Sequence, residues 1–210
     1  MCASSSQSSG HGLSEPDDVA LRAQALLGRV LHGHGVALRI TEVEAYGGIH
    51  DPASHAYTRT PRSEIMYGPP WRLYVYQTRH HFCANIVTGP TDMAAAVLIR
   101  AGSVVEGIEL ARLRRGNVRD AHLARGPGNL TQALGITLAD LGTDVLAGAA
   151  TGGGVRLGPE GASPLGTAEP GFEIASGPRV GVSKAADIPW RFWIAGDPTV
   201  SAYKRSPRAV

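Results

Sequence analysis

The sequence of 210 residues has few cysteines, few aromatic residues and no long hydrophobic run. Two cysteines, Cys2 and Cys83, are too few for a disulfide framework, and the apolar run around Cys83 predicts a buried thiol. No window approaches the roughly 18 apolar residues that a membrane helix needs. The N-terminal residues lack the basic and apolar regions of a secretory signal. We therefore expect a protein of a reducing, cytoplasmic compartment.

Net charge is also low, at +2, and taken alone this value suggests no polyanionic partner. The charges are distributed unevenly, however. Residues 59–131 contain ten basic and five acidic side chains, and residues 177–210 contain six basic and two acidic ones. These two stretches could form one basic face, although a solvated surface of mixed sign explains them equally well.

The pattern of apolar residues and turn residues predicts one α+β domain. Residues 1–12 are a tail with little to bury, residues 13–204 form the domain, and residues 205–210 form a C-terminal tail. Three helices are predicted, each followed by a glycine, over 19–27, 104–115 (behind a capping box of Ser103 and Glu106) and 127–134. Strands are predicted over 36–46, 72–76, 82–87, 94–100, 179–183 and 190–194, and residues 147–171 are predicted to be loop with at most short strands.

The strand predicted over 36–46 carries the most informative polar residues. Strict alternation places Glu42, Glu44 and Tyr46 on the same face as the apolar residues at 36, 38 and 40. If that face is the core face, a carboxylate enters a partly buried pocket, where its pKa rises as a general base requires. The alternative is an exposed strand end with solvated acids.

Several other residues have two interpretations each. Tyr74 and Tyr76 share a strand face, where they could pack a core or stack on a planar ligand. Asn85 and Arg100 lie in apolar runs, where an amide or a guanidinium needs a partner. His55 is a loop histidine, at the surface or at a site. We find no zinc spacing, phosphate loop, dinucleotide fingerprint or nucleophile elbow, so we expect no metal and no other cofactor.

Nine segments, in one order along residues 19–204, indicate a family. They are EVEAY (42–46), His55, RTPR (59–62), LYVY (73–76), CAN (83–85), VLIRA (97–101), ARGPGNLTQALGI (124–136), GPRVGVSKA (177–185) and PWRFW (189–193). Together they resemble the alkyladenine (3-methyladenine) DNA glycosylase family, whose members are monofunctional purine-lesion glycosylases. Because any one segment alone would be weak, the order and the coverage of the chain make the resemblance specific.

The resemblance implies a single compact domain with a curved, mainly antiparallel sheet flanked by helices. It implies a base-excision enzyme that flips alkylated or deaminated purines out of double-stranded DNA and hydrolyses the N-glycosidic bond. Its substrates would be 3-methyladenine and 7-methylguanine, with hypoxanthine and ethenoadenine as further candidates. The expected protein is a monomer in the bacterial cytosol or nucleoid, with no cofactor and no membrane partner.

Catalytic roles also follow from the resemblance. Glu44 corresponds to the general base for the attacking water, and Arg100 with the backbone carbonyl of Val180 would help to hold that water. No lysine nucleophile lies near the segments, so Schiff-base lyase chemistry is not expected.

For substrate binding, the resemblance implies that Tyr46 and Tyr76 sandwich the flipped base, with His55 also at the pocket. Asn85 would screen the base edge and disfavour the exocyclic amine of normal guanine. An aromatic sandwich suits alkylated purines, because they carry positive charge.

For DNA binding, Arg59, Arg62 and Lys184 are candidate phosphate contacts. The sequence departs from the family at Gln77–Phe82, where the family has a hairpin tip that fills the gap left by the flipped nucleotide. Here Arg79 or His80 would have to fill it. Trp71 also stands where the family tends to have glycine. A non-catalytic DNA-lesion binding module is therefore the alternative, and a hydrolase of free nucleosides is a third hypothesis.

Overall fold

The computed structural model describes residues 16–147, 154–159 and 171–210. The tail predicted for 1–12 and most of the loop predicted for 147–171 lie outside the described residues. The helices are α1 (Pro16–Gln24), α2 (Ile108–Arg115) and α3 (Pro127–Leu134). The strands are β1 (Val30–Gly33), β2 (Val36–Tyr46), β3 (Leu73–Gln77), β4 (Phe82–Val87), β5 (Ala96–Glu106), β6 (Arg156–Leu157), β7 (Ile174–Gly177) and β8 (Arg191–Ile194). No helix within these ranges has the length and apolar character that crossing a membrane requires.

One curled antiparallel sheet contains these eight strands, and the helices pack against it. Its order is β3-β4-β5-β2-β1-β6, and β8 pairs with both β2 and β7. The strand β2 is central because β5 pairs with it along one edge, while β1 and then β8 share the other edge. The predicted α+β domain with a curved antiparallel sheet is confirmed.

Four neighbouring strands divide their side chains between two faces. Alternate residues of β2 to β5 belong to the main hydrophobic core: Val43, Ala45, Leu73, Val75, Ala84, Ile86, Val97 and Ile99. Side chains alternate along a strand, so the residues between these point to the opposite face. That second face carries Glu44, Tyr46, Tyr74, Tyr76 and Asn85.

Between Ile40 and Val43 the pairing of β2 with β5 is irregular. Thr41 and Glu42 are consecutive, yet both bond to the segment at 199–201: the hydroxyls of Thr41 and Thr199 are 2.7 Å apart, and the Ser201 N–H donates to Glu42 at 2.7 Å. Ile40 and Val43 both belong to the main core. The prediction that the acids share the face of residues 36, 38 and 40 is therefore wrong, because the irregularity shifts the alternation.

Two element predictions need correction. The helix predicted over 104–115 begins only at Ile108, since β5 continues to Glu106 and Gly107 turns the chain at φ +70°. The Ser103–Glu106 capping box therefore does not form. The strand predicted over 179–183 is also wrong, because the strand of this region is β7, which begins five residues earlier and ends at Gly177.

Most other elements follow the predictions. The strands at 36–46 and 82–87 and the helix at 127–134 have the predicted bounds, and Gly135 ends α3 at φ +74°. Four other elements form with shifted bounds. The strands predicted over 72–76, 94–100 and 190–194 span Leu73–Gln77, Ala96–Glu106 and Arg191–Ile194, respectively. The helix predicted over 19–27 spans Pro16–Gln24. Cys83 is a buried free thiol, as predicted.

Trp71 has a left-handed backbone with φ +67°, which costs a residue other than glycine about 1–2 kcal/mol. Its backbone is held on both sides, by the Val87 carbonyl at 2.8 Å and the Val145 N–H at 2.9 Å. The ring packs against the main core, and the Arg29 guanidinium carbon lies 5.7 Å from its centroid. Burial of the ring therefore offsets the strain of a position that suits glycine.

Candidate active site

A cleft of about 320 Å³ opens on the sheet face opposite the main core. The strands β2, β3 and β4 supply Tyr46, Tyr74, Tyr76 and Asn85 to its wall. His55 comes from a short 3₁₀ turn, and residues 180–183 close the remaining side. The structure thus brings together five residues that the resemblance singled out: Tyr46, His55, Tyr76, Asn85 and Val180.

Glu44 is 0% exposed and does not itself line the cleft, but it bonds to two residues that do. Its Oε1 accepts a hydrogen bond from the Val180 N–H at 2.6 Å and lies 3.3 Å from Nη1 of Arg100. Its Oε2 accepts from the Tyr46 hydroxyl at 2.9 Å. A buried carboxylate needs such donors, because desolvation is costly. The contact that the structure shows for Val180 is made by its N–H, whereas the resemblance named its carbonyl.

Glu42, two residues earlier, has a different environment although it is also 0% exposed. Its Oε1 accepts from Nε of Arg100 at 2.9 Å, Nε of Arg191 at 2.7 Å and the Ser201 hydroxyl at 2.8 Å. Burial alone would raise the pKa of Glu42, but the charge of Arg100, the Ser201 N–H and Arg191 outweigh burial and lower it. Glu42 is therefore an ionised carboxylate saturated with donors, and it orients Arg100 toward Glu44.

The side chain of Tyr46 contributes two groups to the site, its ring and its hydroxyl. Its ring lines the cleft, and its hydroxyl donates to Glu44. Burial, with the negative charge of Glu44 next, raises the pKa of Tyr46 well above its usual value. The hydroxyl therefore stays protonated and remains a donor.

His55 packs edge-on against Tyr76, with ring centroids 4.7 Å apart. Its Nδ1 lies 3.0 Å from the hydroxyl of Tyr74. Burial and the positive charge of Arg62 lower the pKa of His55 to about 4. The imidazole at the cleft is therefore neutral at neutral pH.

Asn85 is 4% exposed, and its Nδ2 donates to the backbone carbonyl of Tyr74 at 3.0 Å. Tyr74 is also its cross-strand partner, so the amide is fixed in the wall between the two strands. The side chain has the partner that a buried amide needs, and it also faces the cleft.

A buried ion pair that the sequence did not reveal joins Asp51 and Arg179, both 0% exposed in their side chains. The two bonds between them measure 2.5 and 2.9 Å, and Arg179 also donates to the Ala45 carbonyl. The guanidinium carbon lies 4.8 Å from the Tyr46 ring centroid. Asp51 precedes the cleft residues 52–53 and Arg179 precedes 180–183, so the pair fastens two cleft walls to each other.

The candidate phosphate contacts differ in their charge environment. Arg59 is 51% exposed in its side chain and is paired with Glu64 through two bonds of 2.5 and 2.9 Å. The guanidinium carbon of Arg62 lies 5.0 Å from the Tyr76 ring centroid, beside the cleft. Lys184 follows the cleft wall, with its Nζ 6.0 Å from the ring centroid of Tyr57. Arg59 is thus neutralised, which disfavours it as a phosphate contact.

At the tip of the β3–β4 hairpin, Arg79 and His80 are exposed. Thr78 closes the turn, with its N–H donating to the His81 carbonyl at 2.7 Å. The hairpin therefore presents a cation and an imidazole at its tip, next to the strand ends that carry Tyr76 and Cys83.

Among residues 16–147, 154–159 and 171–210, no three His, Cys, Asp or Glu side chains are grouped so that they could hold a metal ion.

The comparisons with known proteins all point to the same family. The family model for methylpurine-DNA glycosylase matches residues 14–198. A protein of Nocardia farcinica with the provisional name 3-methyladenine DNA glycosylase is 52% identical over 200 residues, which cover 91% of this chain and 90% of that protein. Proteins with the same provisional name from Mycobacterium leprae and Mycobacterium tuberculosis are 50% and 48% identical, over 91% of this chain and 88% and 93% of theirs.

Proposed function

The chain belongs to the methylpurine-DNA glycosylase family, and we propose that it removes alkylated purines from DNA with Glu44 as the general base. In this proposal it acts as a monomer on double-stranded DNA, on 3-methyladenine and 7-methylguanine first, with hypoxanthine and ethenoadenine as further substrates. One observation carries the proposal: a fully buried carboxylate, held by two hydrogen bonds and an ion pair, is bonded to Tyr46 and Val180 of the aromatic cleft.

The proposed reaction is hydrolysis of the bond between C1′ of deoxyribose and the purine nitrogen. A water oxygen bonds to C1′, the bond to the purine breaks, and Glu44 takes the proton from the water. A purine alkylated at N3 or N7 carries a positive charge, so the electron pair of the broken bond leaves it neutral. The products are a free base and an abasic site, and no lysine adduct is formed.

Arg100 and the backbone carbonyl of Val180 would hold the water against Glu44. Nη1 of Arg100 lies 3.3 Å from Oε1 of Glu44, and the Val180 N–H donates to the same oxygen. Both residues therefore lie beside Oε1 of Glu44, the oxygen that a water molecule would approach. Glu42 and Arg191 lie behind Arg100 and take no part in the reaction themselves.

The base would bind between Tyr46 and Tyr76. Attraction between a cationic purine and an aromatic face contributes about 0.5–2 kcal/mol, which favours charged lesions over normal purines. His55 is neutral at neutral pH because its pKa is lowered to about 4, so it does not repel a cationic base. Asn85 would exclude the exocyclic amine of guanine from the wall that it shares with Tyr74.

Tyr46→Phe keeps the aromatic wall but removes the hydroxyl donor from Oε2 of Glu44. A hydrogen bond to a charged group contributes about 1.5–3 kcal/mol, so we expect a single-turnover rate constant lower by about 10-fold or more. The affinity for lesion-containing duplex should change little. The control is Tyr76→Phe, because the Tyr76 hydroxyl is hydrogen-bonded to Cys83, whereas Glu44 acts on it only through its charge. Equal rate losses in the two variants would contradict the assigned contact.

The titration of His55 provides a test of the cleft electrostatics. Its ring should titrate near pH 4 by NMR, and Arg62→Gln should move the midpoint toward the ordinary value of 6.5. Unfolded chains take up this proton near pH 6.5 and the folded protein only near pH 4, so the free energy of unfolding should decrease as the pH falls through that window. A ring that titrates at 6.5 in the folded protein would show that the cleft does not shield it.

A lesion-binding module without catalysis is the second candidate, and the hairpin tip is the observation that favours it. Arg79 and His80 are exposed polar side chains, and a polar wedge loses hydration when it enters the base stack. Single-turnover assays on duplex and single-stranded oligonucleotides, each with one lesion from the four candidates, separate the two functions. Base release from both forms supports the glycosylase. Release from single strands alone would indicate a weak wedge, and binding without release would indicate the binding module.

A further inference from the structure

The C-terminal segment Lys204–Val210 lies against the cleft wall formed by residues 180–183. The Gly181 N–H donates to the Lys204 carbonyl at 3.1 Å, and the Val210 N–H donates to the Ser183 carbonyl at 2.9 Å. Gly181 and Ser183 both line the cleft. The segment is therefore attached at both ends to the wall beside which a flipped nucleotide would enter.

Three basic side chains of this segment are exposed, and their charge environments differ. Arg205 is neutralised by Asp187, with Nη1 and Oδ1 2.5 Å apart. Lys204 and Arg208 make no ion pair with any carboxylate of the described residues. Lys184, the residue after Ser183, also makes none there. Uncompensated positive charge is thus concentrated along one wall of the cleft.

We propose that Lys204 and Arg208 bind backbone phosphates of the DNA strand whose nucleotide enters the cleft, an inference that rests on the proposed function. A base that occupies the cleft leaves its sugar and its two flanking phosphates at the rim. Exposed cations with no carboxylate partner can neutralise these phosphates, whereas Arg205 already has its counter-charge. Contacts of this kind position the strand but read no sequence.

The test measures binding of undamaged and lesion-containing duplex by fluorescence anisotropy across a series of KCl concentrations. Each phosphate that is neutralised contributes about 0.9 to the slope of log K against log salt. Lys204→Gln and Arg208→Gln should each reduce the slope by about that amount, and the double variant by about twice as much. Both duplexes should lose affinity by the same factor.

The matched control is the double variant Asp187→Asn with Arg205→Gln, which removes an exposed pair from the same segment without a change in net charge. Its slope should equal that of the parent. If Lys204→Gln and Arg208→Gln both keep the parent slope, the inference is overturned while the glycosylase proposal stands. If the parent itself binds duplex DNA with no salt dependence, the proposed function and this inference both fail.

Discussion

Glu44→Gln is expected to slow base release from a lesion-containing duplex by about 10³-fold, within the range of 10²–10⁴ for a positioned general base. Glutamine has the shape of glutamate but cannot take a proton from water. Its carbonyl oxygen can still accept one of the donors that now hold Glu44, and the Tyr46 hydroxyl can reorient toward the amide. Binding of the lesion should therefore persist, because the cleft walls stay in place.

The measurement is a single-turnover rate constant beside an equilibrium affinity for the same duplex. Glu42→Gln removes an equal charge two residues away and is the informative comparison. The Glu42 oxygens are occupied by Arg100, Arg191 and Ser201, so this variant should lose mainly stability, with a much smaller loss of rate. If the Glu44→Gln variant keeps more than about a tenth of the parent rate, Glu44 is not the general base.

Asp51→Ala is expected to lower the free energy of unfolding by about 3–5 kcal/mol, the usual cost of leaving one partner of a buried ion pair alone. Arg179 would retain its charge with a 0% exposed side chain and no carboxylate. The Gly47 and Ala53 N–H groups, which donate to Asp51 at 3.2 and 3.0 Å, would also lose their acceptor.

Urea unfolding, with the midpoint and the slope both recorded, measures this effect. The control is Asp120→Ala, which breaks the exposed pair with Arg112 and should leave the midpoint unchanged within error. Equal midpoints for the two variants would show that the Asp51–Arg179 pair does not hold the cleft walls together.

Much of the fold could be predicted because its signals are local. Proline at the start and glycine after the end define α3, and a run of apolar residues between polar turns defines β4. The start of α2 could not be predicted in this way. A Ser-x-x-Glu pattern has the form of a capping box, but Ser103 pairs with Arg39 in the sheet, so tertiary pairing overrides the local preference.

The face on which the acids of β2 lie cannot be predicted from the strand alone, for a related reason. Alternation is a rule for regular strands, and the irregular pairing between Ile40 and Val43 depends on how β5 lies beside β2. Nothing in residues 36–46 alone specifies that partner. Glu44 is nevertheless buried, because the second face of the sheet is itself covered by residues 180–183 and 197–201.

The family resemblance identifies the residues of the cleft, whereas local patterns give each of them two interpretations. The ion pairs behind the cleft cannot be predicted from local sequence, because Asp51 and Arg179 are 128 residues apart and Glu42 and Arg191 are 149 apart. The available signal was an arginine next to apolar residues in each case, which needs a carboxylate from elsewhere in the chain.

The most direct test of the proposed chemistry is to incubate the purified protein with a duplex that carries one 7-methylguanine and to quantify free base and alkali-labile sites together. Hydrolysis predicts one free 7-methylguanine for each new alkali-labile site, in a strand that stays intact until alkali is added. Stable complexes with no free base would contradict glycosylase activity. Strand cleavage before alkali, with a protein adduct trapped by borohydride, would contradict hydrolysis by a Glu44-activated water.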